Sequence, residues 1–366
     1  MKKNSGKNMT AGSPMKLILG FSLPLLAGFV FQQFYNMVDT IIVGRFIGTE
    51  ALAGVGSTGA VNFLIVGFCI GLCSGFAVPV AHRYGAGDYA GLRRVIANAA
   101  YLTGIFAVFL TLVVSLLTRR ILILMKTPED VFDYAYTYIL IIFLGIPSIM
   151  LYNLLSGILR SIGDSRTPLY FLLFSSIMNI GLDLLFILVI RMGVAGAAVA
   201  TVVSQFVSGL SCLAYMLKKY EILRVKGIEW SADKLLMNRL LSMGIPMGLQ
   251  FSITAIGSVI LQSSVNTLGS LAVASITAAN KVSMLFCCAF DALGTTMATY
   301  GGQNVGAKRL NRLNKGLLDC SILGAVYSVA AFTVMYFFGD DLIRLFVNPS
   351  ELNPRMVTDA KFFLTV

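Results

Sequence analysis

Charged residues are scarce in this 366-residue chain, at 12%, against about 25% in a soluble globular domain. No long stretch of these 366 residues reads as a soluble domain. Histidine is nearly absent: His82 is the only one. A nucleophile–base pair or a histidine-rich metal cluster therefore has no raw material, and an enzyme is the least supported class. The six cysteines, Cys69, Cys73, Cys212, Cys287, Cys288 and Cys320, fall in or at the end of apolar runs. They read as small packing residues rather than ligands or disulfides.

What is abundant is apolar. Hydrophobic residues make up 57% of the chain, and the mean hydropathy is +0.82. A helix needs about 20 mostly apolar residues to cross a bilayer. Candidate spans lie near 17–43, 51–80, 95–117, 135–158, 168–190, 194–217, 240–265, 271–299 and 317–338, with a tenth starting near 357. The expected fold class is all-α and polytopic, with the lipid bilayer as its main partner. The first run holds Pro24, Gln32, Gln33 and Asp39 and lacks a clear small-residue cleavage site, so it reads as a retained first helix, not a signal peptide.

The net charge of +11 does not point to nucleic acid, because the cations are sorted by loop. The N-terminal tail and the loops after spans two, four, six and eight hold 19 of the 28 Lys and Arg. The opposite loops hold 7: Arg45, Arg119, Arg120, Lys126, Arg191, Arg344 and Arg355. Such a bias marks the cytoplasmic side and places the N-terminus there.

The second half echoes the first. Pro24 pairs with Pro246, Gly48 with Gly269, Gly85 with Gly306 and Pro128 with Pro349, at offsets of 221 or 222. Four matches in register indicate a repeat of about six helices per unit, the two units running parallel in the membrane. The expected division is 1–222, a linker at 223–239, and 240–366. By the repeat logic the second bundle is truncated, lacking its last two helices and most of the tenth. Gly67, Gly71 and Gly75 recur every four residues on one helix face, a pattern that allows close helix contact.

Polar residues inside the spans are the candidate functional groups. A carboxylate at the bilayer centre costs about 2.5–3.5 kcal/mol on insertion scales. Gln32, Asn36 and Asp39 fall on one face of the first span, and that stripe is expected to point into the protein. Asn179 and Asp183 are one turn apart in "SIMNIGLDLLF". Thr201, Ser204, Gln205 and Ser208 form another stripe, and span four adds Asn153 and Ser156. If these faces converge, they form an oxygen-lined cavity with two carboxylates. Such a cavity suits a proton or a hard cation such as Na⁺. In the second half the intramembrane polar residues include Gln250, Asn280, Lys281 and Asp291. Lys281 has two readings, pairing with Asp291 or snorkelling to the interface.

The motifs "NMVDTIIVGRFIGTEALAGVG", "YGAGDYAGLRR", "LRSIGDSRTPL", "NIGLDLLFI", "GVAGAAVAT" and "GQNVGAKR" together resemble the MATE family of multidrug and toxic compound extrusion transporters, over the whole chain. The resemblance implies two six-helix bundles that export cationic or amphipathic small molecules against inward Na⁺ or H⁺, with no further cofactor. For the branch with an acidic site in the first bundle, it places the coupling residues at Asp39, Asn153, Asn179, Asp183 and Thr201. Gln32, Asn36, Gln205, Gln250, Asn280 and Lys281 are the candidate substrate path. In another branch a Glu sits in the seventh helix; here "PMGLQFSIT" offers Gln250 instead. The resemblance also implies a location in the bacterial inner (plasma) membrane, and the expected state is a monomer. The rival reading is a flippase of lipid-linked oligosaccharide precursors from the same superfamily, which calls for a larger and more basic cavity.

Overall fold

The computed structural model describes residues 6–266, 270–344 and 354–365. Twelve α-helices account for nearly all of it, and no strand occurs among the described residues. Eight helices are long and apolar enough to cross a membrane, or nine if one bent pair counts as a single span. Gly269 and Pro349, members of two repeat pairs, lie outside the described residues.

The helix ends follow local chemistry. Helix α1 (Pro14–Phe46) begins at a Ser–Pro step, with Pro14 at its first position, and carries Pro24 inside. Proline is tolerated there because the first N–H groups of a helix have no intrahelical partner. The chain leaves α1 through Gly48, whose φ of 125° favours glycine. The second span is not continuous as expected. A short helix α2 (Thr49–Ser57) breaks at Thr58, and the spanning helix α3 (Gly59–Gly85) follows. Helix α4 (Tyr89–Leu124) is capped by Asp88, which accepts from the Gly91 N–H at 2.8 Å.

The fourth span is also split. Helices α5 (Glu129–Leu144) and α6 (Ile146–Ser161) meet at a bend of 47°. Pro147 explains the break: it has no N–H to donate, and its ring clashes with the carbonyl four residues earlier. Helix α7 (Arg166–Leu184) runs into a single π turn, Leu185–Val189, which begins two residues after Asp183. Helix α8 (Val194–Lys219) ends the first half.

Two short 3₁₀ turns, Glu221–Leu223 and Gly227–Trp230, lead to α9 (Lys234–Asn266). This helix starts six residues before the expected 240. The connection is tied to α4. Arg93 pairs with Glu229 at 2.7 Å, and Arg94 with Asp233 at 3.2 Å. Asn98 donates to the Ser231 carbonyl at 3.2 Å and accepts the Asp233 N–H at 2.8 Å. Arg93 holds the Glu229 carboxyl down to about 2, a hydrogen-bonded carboxylate favouring its charged form. Helices α10 (Ser270–Gly306), α11 (Asn311–Arg344) and α12 (Pro354–Thr365) complete the described chain. The tenth span, expected from 357, thus begins at Pro354.

The main seam between the halves is α3 against α9, extended by α10 against both α3 and α1. The glycine stripe lies in it. A Cβ on Gly75 would stand 2.5 Å from the Gly244 Cα, and one on Gly71 would run into the Met247 carbonyl oxygen. Of the cysteines, Cys69, Cys73, Cys212 and Cys288 are buried as packing residues; Cys320 is half-buried and Cys287 is exposed.

At one end of the seam the N-terminal segment crosses both halves. Tyr84 of α3 donates to the Gly6 carbonyl at 2.9 Å. Gln303 of α10 accepts the Met9 N–H and donates to the Ser161 carbonyl, both at 2.8 Å. Arg309 and Arg312 donate to the carbonyls of Thr10 and Gly12 at 2.7 and 2.9 Å. Gln303 is fully buried, so each of its polar atoms needs these partners. This end gathers the basic loops after α3, α6 and α10 together with the basic tail.

Candidate functional site: a carboxylate pair in the first half

Asp39 of α1 and Asp183 of α7 come within hydrogen-bonding reach of one another. Asp183 is fully buried and Asp39 half-buried. A hydrogen bond between two carboxyl groups requires a proton on one of them, and two bare carboxylates this close require a cation between them.

The neighbours are oxygen-rich. The Asn179 amide is satisfied when its nitrogen donates to Asp183 Oδ2 at 3.2 Å and its oxygen accepts the Thr201 N–H at 3.3 Å. Thr201 sits on α8, which packs along α7. Asp39 Oδ1 and Asp183 Oδ1 are buried without a hydrogen-bond partner among the described residues. Unpaired buried acceptors are rare, because each forfeits the hydrogen bonds it had in water. Their chemistry fits a proton or a hard cation, which takes carboxylate, amide and hydroxyl oxygens.

Four of the five expected coupling residues are therefore brought together. For the fifth, Asn153, the contact seen is within its own helix: its amide nitrogen donates to the Ile149 carbonyl at 2.8 Å. Two tyrosines not anticipated complete the wall. Tyr35 reaches Thr201 with its hydroxyl, and Tyr138 of α5 stands beside Asp39, Tyr35 and Asp183. Tyr35 precedes Asp39 by one helical turn, which is the signal that could have found it.

The stripe on α1 is rotated from the expected one. Tyr35 and Asp39 face α7 and α8, whereas Asn36 is exposed and Gln32 half-buried. Asn36 lies about 100° further round the helix from Tyr35, enough to leave that contact.

A separate cavity of about 350 Å³ lies at the seam between the halves. Ser74 and Arg160 line it from α3 and α6, Gln250 from α9, and Asp291, Thr295 and Thr299 from α10. Its size is at the lower end of the roughly 300–1,000 Å³ typical of small-molecule sites. Gln250 is thus the one expected path residue on its wall; Gln32, Asn36, Gln205, Asn280 and Lys281 are not among its lining. Arg160, which the sequence showed only as a basic residue at a span end, donates to Ser156 Oγ at 2.5 Å and forms no ion pair among the described residues. Lys281 is exposed and does not pair with Asp291. Ten residues apart on one helix, the two are about 15 Å apart along the axis and on different faces.

A family model described as MatE matches residues 24–185 and 246–366, stretches that begin at Pro24 and Pro246. The chain belongs to the MATE family. It is similar to the probable multidrug resistance protein YpnP of Bacillus subtilis (strain 168), at 30% identity over 94% of this chain and 77% of that protein. The probable multidrug resistance protein YoeA of the same organism is also 30% identical, over 90% and 73%. Among solved structures, the outward-facing conformation of a multidrug resistance MATE family transporter superposes with a TM-score of 0.92, at 26% identity, covering 100% of this chain and 81% of that one. As a MATE protein the molecule is a membrane transporter and not an enzyme.

Proposed function

We propose that this transporter exports cationic or amphipathic small molecules by antiport with Na⁺ or H⁺. The observation that carries the reading is the Asp39–Asp183 pair, two carboxyl groups in contact inside a membrane-spanning bundle. The names of the relatives as multidrug resistance proteins support the substrate class. In this reading residues 1–222 and 240–366 form two lobes, joined by 223–239. The seam cavity takes the substrate, and the lobes rock to open it to either side. One elementary charge moving inward through the pair gains about 2.3 kcal/mol per 100 mV, which helps to drive uphill export. The protein acts as a monomer in the inner membrane, with no nucleic-acid partner and no resident cofactor. A flippase of oligosaccharide-linked lipids is less favoured, since among the described residues Arg160 is the only cation on the cavity wall and Asp291 shares it.

The test is flux of a cationic dye in reconstituted vesicles under an imposed Na⁺ or H⁺ gradient. One of the two gradients is expected to accelerate dye movement, and collapsing it with an ionophore to stop the acceleration. Flux indifferent to both gradients would reject antiport.

Orientation is tested separately. The basic end of the bundle, where the N-terminal segment, Tyr84, Ser161 and Gln303 meet, is assigned to the cytoplasm by its excess of Lys and Arg. A single cysteine at position 226, in the connection before α9, is expected to resist an impermeant thiol reagent in intact cells and to react after permeabilisation. Ready labelling of intact cells would invert the topology.

A further inference from the structure

A second cavity, of about 210 Å³, opens at the basic end of the seam. Its walls come from both halves: Pro79, His82 and Arg83 of α3 and Val95 of α4, against Leu236 and Arg239 of α9 and Val305 and Gly306 of α10. Among the described residues no carboxylate lines it. Its polar groups are His82, Arg83 and Arg239, and both arginines lie close enough to act on His82 electrostatically.

The surrounding acids are engaged elsewhere. Asp88 takes one nitrogen of Arg83 at 2.6 Å, Glu229 is held by Arg93, and Asp233 by Arg94. Arg239 forms no ion pair among the described residues. A guanidinium has five N–H donors in a planar fork, so Arg83 keeps most of its donors after binding Asp88. Two guanidinium groups and an imidazole thus converge across a seam, and the one acid in contact with them, Asp88, binds Arg83 alone. Like charges held this way repel unless an anion sits among them. The two backbones close one side of the space, where an added Cβ on Gly306 would run into the His82 carbonyl. The space is smaller than a drug-sized pocket but open to a compact oxyanion, and the arginine fork matches phosphate oxygens.

We propose that this cavity is a binding site for a phosphate group, held by Arg239 from one half and by Arg83 and His82 from the other. The same chemistry is offered by the phosphodiester of an anionic lipid headgroup at the cytoplasmic surface and by free phosphate; basic pockets between membrane helices on that side take lipid headgroups. An anion here bridges α3 and α9, so it fastens the two halves in the arrangement seen.

The purified protein is placed in phosphatidylcholine nanodiscs, with or without phosphatidylglycerol. Thermal unfolding is then followed as inorganic phosphate replaces chloride at constant ionic strength. Stabilisation by phosphatidylglycerol alone assigns the site to a lipid headgroup, and stabilisation by inorganic phosphate as well assigns it to phosphate in general. In either case Arg239→Gln is expected to raise the concentration needed for half the effect about tenfold, the loss of one charge-assisted hydrogen-bonding partner. Arg239 is exposed, so the variant is expected to fold. Arg119→Gln, at the opposite end of the bundle, is expected to respond as the parent does. No stabilisation by either probe, or an Arg239→Gln response equal to the parent's, overturns the proposal.

Discussion

Asp39→Asn is expected to reduce ion-driven efflux to the passive leak while leaving the protein folded. The amide keeps the shape of the side chain and its acceptor oxygen, but it binds neither a transported proton nor a cation with useful strength. The cost of burial falls, because a neutral amide loses less hydration than a carboxylate. Melting temperature is therefore expected to hold or rise slightly. Asp183→Asn should give the same phenotype. Asn179 can still donate to the oxygen of the new amide, so the hydrogen bond it makes to position 183 at 3.2 Å has a replacement. The double variant is expected to be no worse than either single one, since each change already removes the shared charge. Dye efflux in vesicles, at equal protein incorporation and under the gradient that drives the parent, measures all three. Parent-like rates in both single variants would show that the acids only pin α1 to α7.

The contrast between what the sequence displayed and what it hid has a physical basis. Asp39 and Asp183 were legible because a carboxylate in an apolar span is costly and rare. Their partner Asn179 was legible by helical spacing, and Thr201 as part of a polar stripe. Tyr35 and Tyr138 were not, because an aromatic ring in a membrane helix needs no explanation. Its hydroxyl becomes informative only once the acid beside it is placed. Arg160 was hidden by position. It ends an apolar run, where an arginine ordinarily reaches the interface, yet here it turns inward to Ser156. The number and order of spans followed from hydropathy, but the interruptions at Thr58 and at Gly145 did not. Hydropathy stays high across both, and a break in a helix changes backbone geometry without changing composition. Asn280 and Lys281 are exposed, a placement the sequence could not give, because a lone polar residue on a helix does not reveal which side faces the protein.

The glycine stripe on α3 was visible from its spacing, and the structure says what it is for, which makes Gly75→Leu the sharpest test of the seam. At Gly75 a Cβ would meet the Gly244 Cα at 2.5 Å and the Met243 carbonyl oxygen at 2.6 Å. Those atoms are backbone of the opposing helix and cannot step aside as a flexible side chain would. One turn earlier Gly71 meets the Met247 carbonyl and the Gly248 Cα in the same way, and Gly67 stands 3.2 Å from the Phe251 Cβ. The contact is reciprocal, since a Cβ on Gly244 would strike the Phe76 ring at 2.5 Å. Adding a side chain therefore forces α3 and α9 apart over several turns instead of displacing one rotamer. Overpacking a well-fitted interior costs about 1–3 kcal/mol and sometimes more, and a backbone-to-backbone clash belongs at the upper end. Gly75→Leu is expected to lower the melting temperature clearly and to suppress transport. Gly104→Leu is the matched control: it sits in a spanning helix where an added Cβ meets nothing within 4 Å. That change is expected to leave stability unchanged or slightly raised, because leucine is the better helix former. A disulfide formed between cysteines placed across α3 and α9 supplies the readout specific to the seam. It should form readily in the parent background and in Gly104→Leu, and poorly in Gly75→Leu. Equal melting and equal cross-linking in both leucine variants would mean that the stripe faces lipid, and that the halves are held together elsewhere.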